Sequence, residues 1–307
     1  MNAASPLIPQ ENAPDLWREF FPVPNAESHK YTRGTALIRG GAVMTGASRL
    51  AARAAQRMGA GLVTLAAPRA ALPIYAEALE SVIVRPCDTA EEWQALVGDA
   101  RQPAILIGPG LGALCAEEVL AALAAESPTV VDADGLTAFA ENPKALVSAL
   151  HSQCVLTPHE GEFERVFGDW TLAPDSQKHF LLNSPLLNSS PRGGGEDKIC
   201  RALAAAKRAG CVVLLKGAET VIASPDGAVV VNRNAPPWLA TAGAGDVLAG
   251  MILGLVAQKM PVFWASAAAA WMHGQIAAIH GAGLIAEDIV EGIPRVLTNI
   301  LNISGSA

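Results

Sequence analysis

The 307-residue chain has no C-x-x-C pair, although it carries five cysteines, Cys87, Cys115, Cys154, Cys200 and Cys211. An odd number without paired spacing fits scattered reduced thiols, buried as small hydrophobes in a cytoplasmic protein, better than a disulfide framework or a zinc site. A basic stripe is missing too. The net charge is -7 and only 17% of residues are charged, which argues against a nucleic-acid surface and for small-molecule partners. The start of the chain lacks the basic n-region and continuous apolar core of a signal peptide. Residues 262–286 contain no Asp, Glu, Lys or Arg, yet they are rich in Ala and Gly and include Ser266, His273, Gln275 and His280. A buried core helix is expected there, not a membrane span. Two motifs are absent as well: G-x-x-x-x-G-K-[ST] and G-x-S-x-G do not occur, and Gly108-Pro109-Gly110-Leu111-Gly112 lacks the spacing of a dinucleotide fingerprint.

What is present is a 51% hydrophobic chain long enough for one large core. Apolar runs at 35–38, 62–66, 104–107, 129–131, 154–156 and 211–215 alternate with helical patterns at 46–58, 116–125, 143–150 and 199–209. That alternation is the signature of an α/β fold whose mostly parallel sheet is covered on both faces. Residues 221–231 read as a hairpin turning through Ser224-Pro225-Asp226-Gly227. A terminal helix is expected from Pro294 to about residue 302. Residues 1–28, with Pro6, Pro9, Pro14, Pro22 and Pro24 around Trp17, Phe20 and Phe21, read as an arm or linker remnant on the surface of a domain covering 29–303. Residues 169–197, rich in Pro, Asn and Ser and holding Gly193-Gly194-Gly195, read as a mobile insertion.

One stretch joins a small-residue loop to an apolar helix through a single carboxylate: Thr241-Ala242-Gly243-Ala244-Gly245-Asp246. A ligand can approach such a loop closely, and the following helix would point unpaired N–H groups at it, which suits a phosphate. Asp246 beside a bound phosphoryl group is placed to take a proton from an attacking hydroxyl. The alternative is that Asp246 only N-caps the helix, worth about 1 kcal/mol. Asp132 and Asp134, after the run 129–131, and His159 and Glu162, after 154–156, also fall where ligands bind in open α/β sheets, at the carboxyl ends of strands.

Taken together these segments resemble a known family. The Gly-Ala-Gly-Asp246 element looks like the anion-hole and base motif of the ribokinase-like superfamily. Further segments are similar, in order, to the motifs of the ADP- or ATP-dependent NAD(P)H-hydrate dehydratases. They are His29-Lys30 with Arg33-Gly34, Gly40-Gly41 with Thr45-Gly46-Ala47, Gly59-Ala60-Gly61-Leu62-Val63, Gly108-Pro109-Gly110-Leu111-Gly112, Asp132-Ala133-Asp134-Gly135-Leu136, Leu156-Thr157-Pro158-His159-Glu160-Gly161-Glu162 and Leu215-Lys216-Gly217-Ala218-Glu219-Thr220.

The resemblance implies a ribokinase-like three-layer α/β/α sandwich and a repair activity: dehydration of the S epimer of NADHX or NADPHX to NADH or NADPH, with ADP or ATP as co-substrate and Mg2+. Lys216, Gly217, Ala218, Glu219, Thr220, Ala244 and Gly245 would bind the nucleotide. Ala47, Gly110, Gly112, His159 and Asp246 would contact the hydrate, with Asp246 as the catalytic base and Glu162 organising the metal through water. A homo-oligomer and an NAD(P)H-hydrate epimerase as functional partner are also implied. The chain departs from the family pattern at Gly40-Gly41-Ala42-Val43-Met44, which lacks the usual serine and aromatic residue, and at Ala235-Pro236-Pro237-Trp238-Leu239-Ala240, where a bulky Trp238 stands beside the nucleotide site. With room for no epimerase domain, the chain reads as a stand-alone dehydratase or the C-terminal part of a longer protein. Two rivals stand beside this reading: a vitamin kinase of the same superfamily acting on hydroxymethylpyrimidine, pyridoxal or hydroxyethylthiazole, and a nucleotide-binding regulator without turnover.

Overall fold

A run such as Ala104-Ile105-Leu106-Ile107 has no polar face, so as a strand it requires cover on both sides. The computed structural model, which describes residues 9–101, 103–112, 115–168 and 195–304, provides it. Its strands are β1 (Gln10–Glu11), β2 (Thr35–Arg39), β3 (Leu62–Ala67), β4 (Ile83–Pro86), β5 (Ala104–Ile107), β6 (Thr129–Val131), β7 (Cys154–Leu156), β8 (Val212–Leu215), β9 (Thr220–Ala223) and β10 (Val229–Asn232). They form one sheet in the order β1-β10-β9-β8-β7-β6-β5-β2-β3-β4. Pairing is parallel except for β8 with β9 and β9 with β10, where the expected hairpin turns.

Alternate side chains divide the core in two. Ile38, Leu106, Val130, Val155 and Leu214 join one cluster. It is closed by α1 (Thr45–Arg57), α2 (Leu72–Ala78), α9 (Ala244–Ala257), α10 (Val262–His280) and α11 (Ala286–Ser304). Leu37, Ile105, Val131, Leu156 and Val213 join the other. It lies under α3 (Ala90–Val97), α4 (Ala116–Ala124), α5 (Asp134–Thr137), α6 (Pro143–Ala149), α7 (Glu160–Phe167) and α8 (Gly195–Ala209). The result is the expected α/β/α sandwich. Helix α9 is apolar nearly all round and buried. It lies so close to α1 that a side chain at Gly250 would strike the Ala51 carbonyl. The uncharged α10 is likewise a core helix, and no helix among the described residues is long and apolar enough to cross a membrane.

Two local expectations change, and a third lies mostly outside the described residues. The N-terminal segment does not simply lie on the surface: β1 pairs parallel with β10 at the sheet edge, and Trp17 is fully buried, 5.7 Å from Phe21 and edge-on to Trp271. A large indole between prolines gains more from the core than the segment loses by being ordered. The terminal helix begins at Ala286 and keeps Pro294 inside it. Proline is costly within a helix, but Ile289, Ile293, Val296 and Ile300 form a buried stripe that holds the turn together. The mobile insertion read at 169–197 falls outside the described residues up to 194; from Gly195 the chain is α8.

Because β2 and β5 to β8 run parallel, the loops following Arg39, Ile107, Val131, Leu156 and Leu215 all reach one edge of the sheet. The chain moves outward from β2 through β3 to β4, then returns to β5 on the other flank of β2. Such a reversal of strand order leaves a crevice at the carboxyl edge.

Candidate functional site

Asp246 is the third residue of α9, and the N-cap position belongs to Gly243, in the left-handed region at φ 87°. A Cβ at Gly243 would meet Leu50 Cδ1 at 2.7 Å and Ala286 Cβ at 2.9 Å, so glycine is required by space as well as by dihedral. The cap alternative for Asp246 is therefore set aside: its carboxylate is in the first turn, not at the cap. The Ala244 N–H is drawn back toward Thr241 O at a long 3.4 Å. The N–H groups of Gly245 and Asp246 have no helix carbonyl to meet, as in any first turn.

Charge concentrates around that turn. Lys216, delivered by the end of β8, donates from Nζ to Asp132 Oδ1 at 2.8 Å, and Glu162 Oε2 lies 3.8 Å from the same nitrogen. Burial alone would lower the Lys216 pKa, but Asp132 and Glu162 outweigh it and hold the ammonium above its ordinary value. Asp246 moves the other way for a carboxylate. Burial first, then repulsion from Asp132, push it up to about 7, with Asp134 and Glu162 adding to the rise and Lys216 opposing it. A carboxylate poised near neutrality beside a helix N-terminus is a fitting proton acceptor.

The acidic pair Asp132 and Asp134 is presented by a strained link. Ala133 has φ 49° and ψ -120°, a region that costs a non-glycine residue about 1–3 kcal/mol. The turn is held by Gly135 N donating to Asp132 O at 3.0 Å. Asp132 goes to Lys216, whereas Asp134 Oδ2 accepts from Gly112 N at 2.8 Å and so fixes the loop after β5. In that loop a side chain at Gly110 would strike Met44 and approach Ala47. Ala47, Gly110 and Gly112 thus lie together at the crevice, joined to Lys216 through the Asp132–Asp134 turn.

His159 and Glu162 form a capping box at the start of α7. His159 Nδ1 accepts from Gly161 N at 3.0 Å and Glu162 N at 3.2 Å, while Glu162 Oε2 accepts from His159 N at 2.8 Å. Being an acceptor, Nδ1 is bare. The imidazole is about half exposed, with Nε2 3.4 Å from Glu162 Oε1. Among the described residues no three His, Cys, Asp or Glu side chains are grouped to hold a metal ion.

A cavity of about 420 Å³ adjoins Lys216 and the start of α9. Lys216, Gly217, Ala218, Thr220, Ala244 and Gly245 line it together. Pro236, Pro237, Leu239, Ala240 and Leu248 supply an apolar wall suited to a flat heterocycle. Glu219 is not in the lining but pairs with Arg233 at 2.9 Å, and Trp238 stays outside it, half exposed.

Other residues at this site have no role in the sequence reading. Lys198 Nζ donates to Lys216 O at 2.9 Å and pairs with Glu160, bracing the 216–220 loop from α8. His273 Nε2 donates to Ala244 O at 2.9 Å, because a carbonyl only accepts, and burial pushes its pKa down to about 4, leaving it neutral. Asn232 also borders the cavity. The available signals are a histidine within an otherwise apolar helix and an amide closing a run of valines. Lys198 gives none.

A family model described as NAD(P)H-hydrate dehydratase matches residues 35–295. The bifunctional NAD(P)H-hydrate repair enzyme Nnr of Salinibacter ruber is 36% identical over 96% of the chain and 54% of its own length. The chain spans about half the length of the relatives of this kind that it matches. Among solved structures, the ADP/ATP-dependent NAD(P)H-hydrate dehydratase of Bacillus subtilis, co-crystallised with ATP/Mg2+, superposes with a TM-score of 0.73 at 30% identity, covering 95% of this chain and 98% of that one. A ribokinase-like superfamily protein of Enterococcus faecalis has a TM-score of 0.76 at 23% identity over 98% and 99%, and shows the ribokinase-like fold.

Proposed function

The chain belongs to the NAD(P)H-hydrate dehydratase family, and from that premise we propose that it converts the S epimer of NADHX or NADPHX to NADH or NADPH at the expense of ADP or ATP. The observation that carries the reading is Asp246, its pKa pushed up to about 7, in the first turn of α9 beside the cavity bordered by Lys216 and Gly245.

Hydroxide is a poor leaving group, so the ring hydroxyl is first turned into a phosphate ester. Asp246 accepts the hydroxyl proton as the oxygen attacks the terminal phosphorus, and the bond from that phosphorus to the bridging oxygen breaks, releasing AMP from ADP or ADP from ATP. The free N–H groups of Gly245 and Asp246, with the α9 dipole, stabilise charge on the phosphoryl oxygens. The ring nitrogen then expels phosphate, and loss of a ring proton restores the dihydropyridine. Ala218 and Thr220, with Lys216, Gly217, Ala244 and Gly245, line the cavity that in this reading receives the nucleotide. Glu219 contributes by holding Arg233. Ala47, Gly110, Gly112 and His159 border the hydrate.

Mg2+ bound with nucleotide phosphates keeps several waters and takes one or two carboxylates, so a dedicated protein cage is not required. Glu162 fits such a role through water. It is a hard oxygen donor 8% exposed, and its Oε1 has only a 3.4 Å contact with His159 Nε2. The ion would neutralise charge on the transferring phosphoryl group. The burial of all five cysteines agrees with a reducing cytoplasm, and the family reading carries with it a homo-oligomer and supply of the S epimer by an epimerase. The experiment is stoichiometric: NADHX, Mg2+ and ADP or ATP should yield one NADH per phosphate released. Stable phosphorylation of a pyrimidine or pyridoxal alcohol without NADH would select the vitamin kinase.

A further inference from the structure

Several buried polar groups that the proposed chemistry leaves unused lie along one line. Asn12, directly after β1, is 7% exposed and donates its backbone N–H to Val231 O at 2.8 Å. Its side-chain Nδ2 donates to Asn232 Oδ1 at 2.9 Å and to Ala267 O at 2.7 Å, while its Oδ1 accepts from Trp17 Nε1 at 3.1 Å. Asn232, 2% exposed, passes the line on: its Nδ2 donates to Asn234 Oδ1 at 2.9 Å and to Ala270 O at 3.4 Å. Asn234 Nδ2 donates in turn to Trp271 O at 2.8 Å. The line ends at Asn234, directly before Ala235 and Pro236 of the cavity's apolar wall, and Asn232 and Ala270 border the cavity themselves.

This ladder has a fixed sense. The Trp17 indole only donates and the α10 carbonyls only accept, so each amide has one orientation that satisfies its neighbours. Turning any one over sets oxygen against oxygen. Apolar side chains of similar volume would fill the same space at less desolvation cost. What the amides add is a defined position for Asn232 and for the backbone leading to Pro236, transmitted from a segment more than 200 residues away in sequence.

We propose that the N-terminal segment carrying Asn12 and Trp17 is a positioning element of the nucleotide site, holding Asn232, Asn234 and the following wall in the shape that receives the base of an adenine nucleotide. The proposal rests on the reading of the cavity as an ADP or ATP site. Asn12 and Trp17 act through Asn232 and touch no reactant.

Two variants of the full chain test it. Asn12→Asp puts an oxygen where a donor must face Asn232 Oδ1 and Ala267 O; Trp17→Phe keeps a ring in the core and removes the donor to Asn12 Oδ1 together with part of the indole's bulk. ADP affinity is measured by calorimetry well below the melting temperature, alongside nucleotide KM and kcat with NADHX. Asn12→Asp should raise the ADP Kd and the nucleotide KM about tenfold, the scale of one disrupted buried hydrogen bond, with kcat at saturating nucleotide within about twofold. Trp17→Phe should move Kd and KM the same way by about threefold, and it decides the matter if Asn12→Asp does not fold. Folded variants with a lower Tm but wild-type Kd and KM would overturn the proposal and leave the segment a plain structural strut. Wild-type protein that binds no ADP would overturn the nucleotide reading itself, and this inference with it.

Discussion

Lys216 Nζ and Asp132 Oδ1 stand 2.8 Å apart, with the Asp132 side chain only 2% exposed and that of Lys216 18%. The pair links the ends of β8 and β6 across β7, and it sets the charge that Asp246 experiences. Removing one partner leaves the other buried and uncompensated. Lys216→Gln should therefore destabilise the fold by about 2–4 kcal/mol in denaturant unfolding, and Lys216→Gln with Asp132→Asn should cost less than the sum of the two.

Asp246 must be ionised to accept a proton, so kcat/KM should fall about tenfold per pH unit below a limb near pH 7, the value to which burial and the neighbouring carboxylates push it. Lys216 is the group opposing that rise. In Lys216→Gln the limb should move to higher pH. A limb that stays at the ordinary carboxylate range in both proteins would remove Asp246 from the base role.

Asp246 and His273 give stability opposite pH dependences. The Asp246 pKa, near 7, lies above its ordinary 3.8, so the stability linked to its proton is complete below about pH 4 and lost as pH rises through 7. The His273 pKa, near 4, lies below its ordinary 6.5, so its contribution is complete above 6.5 and lost as pH falls through 4. In wild type the two slopes offset one another between these limits. Asp246→Asn should melt higher than wild type at pH 8 and at the same temperature near pH 4. His273→Gln, which keeps an N–H for Ala244 O, should match wild type at pH 8 and gain on it at pH 4. Thermal melts across this range check both, at about 2–4 °C per kcal/mol.

Much of this was legible locally. The β5 run 104–107, the Ser224-Pro225-Asp226-Gly227 turn and the Gly-Ala-Gly-Asp246 loop each carry their structure in adjacent residues, and the structure has the strand, the hairpin and the helix start there. Features fixed by distant partners were not legible. The two-residue β1 exists because β10 is there to pair with it, and Asn12 meets Asn232 across 220 positions. Helix α11 runs through Pro294 because its apolar stripe is packed. The positive φ of Ala133 is imposed by the turn between Asp132 and Asp134, and an alanine in sequence gives no sign of it. Lys198 reaches the 216–220 loop only because α8 packs beside β8.

The most direct measurement follows NADH absorbance and phosphate release from NADHX with Mg2+ and ADP or ATP, for wild type beside Asp246→Asn. The variant keeps the shape of the first turn and its N–H groups and loses the base. Wild type should form NADH and phosphate together, and the variant should do so at least about 100-fold more slowly, the low end of general-base effects, while binding ADP within about threefold of wild type. An Asp246→Asn protein that forms NADH at the wild-type rate would contradict the account.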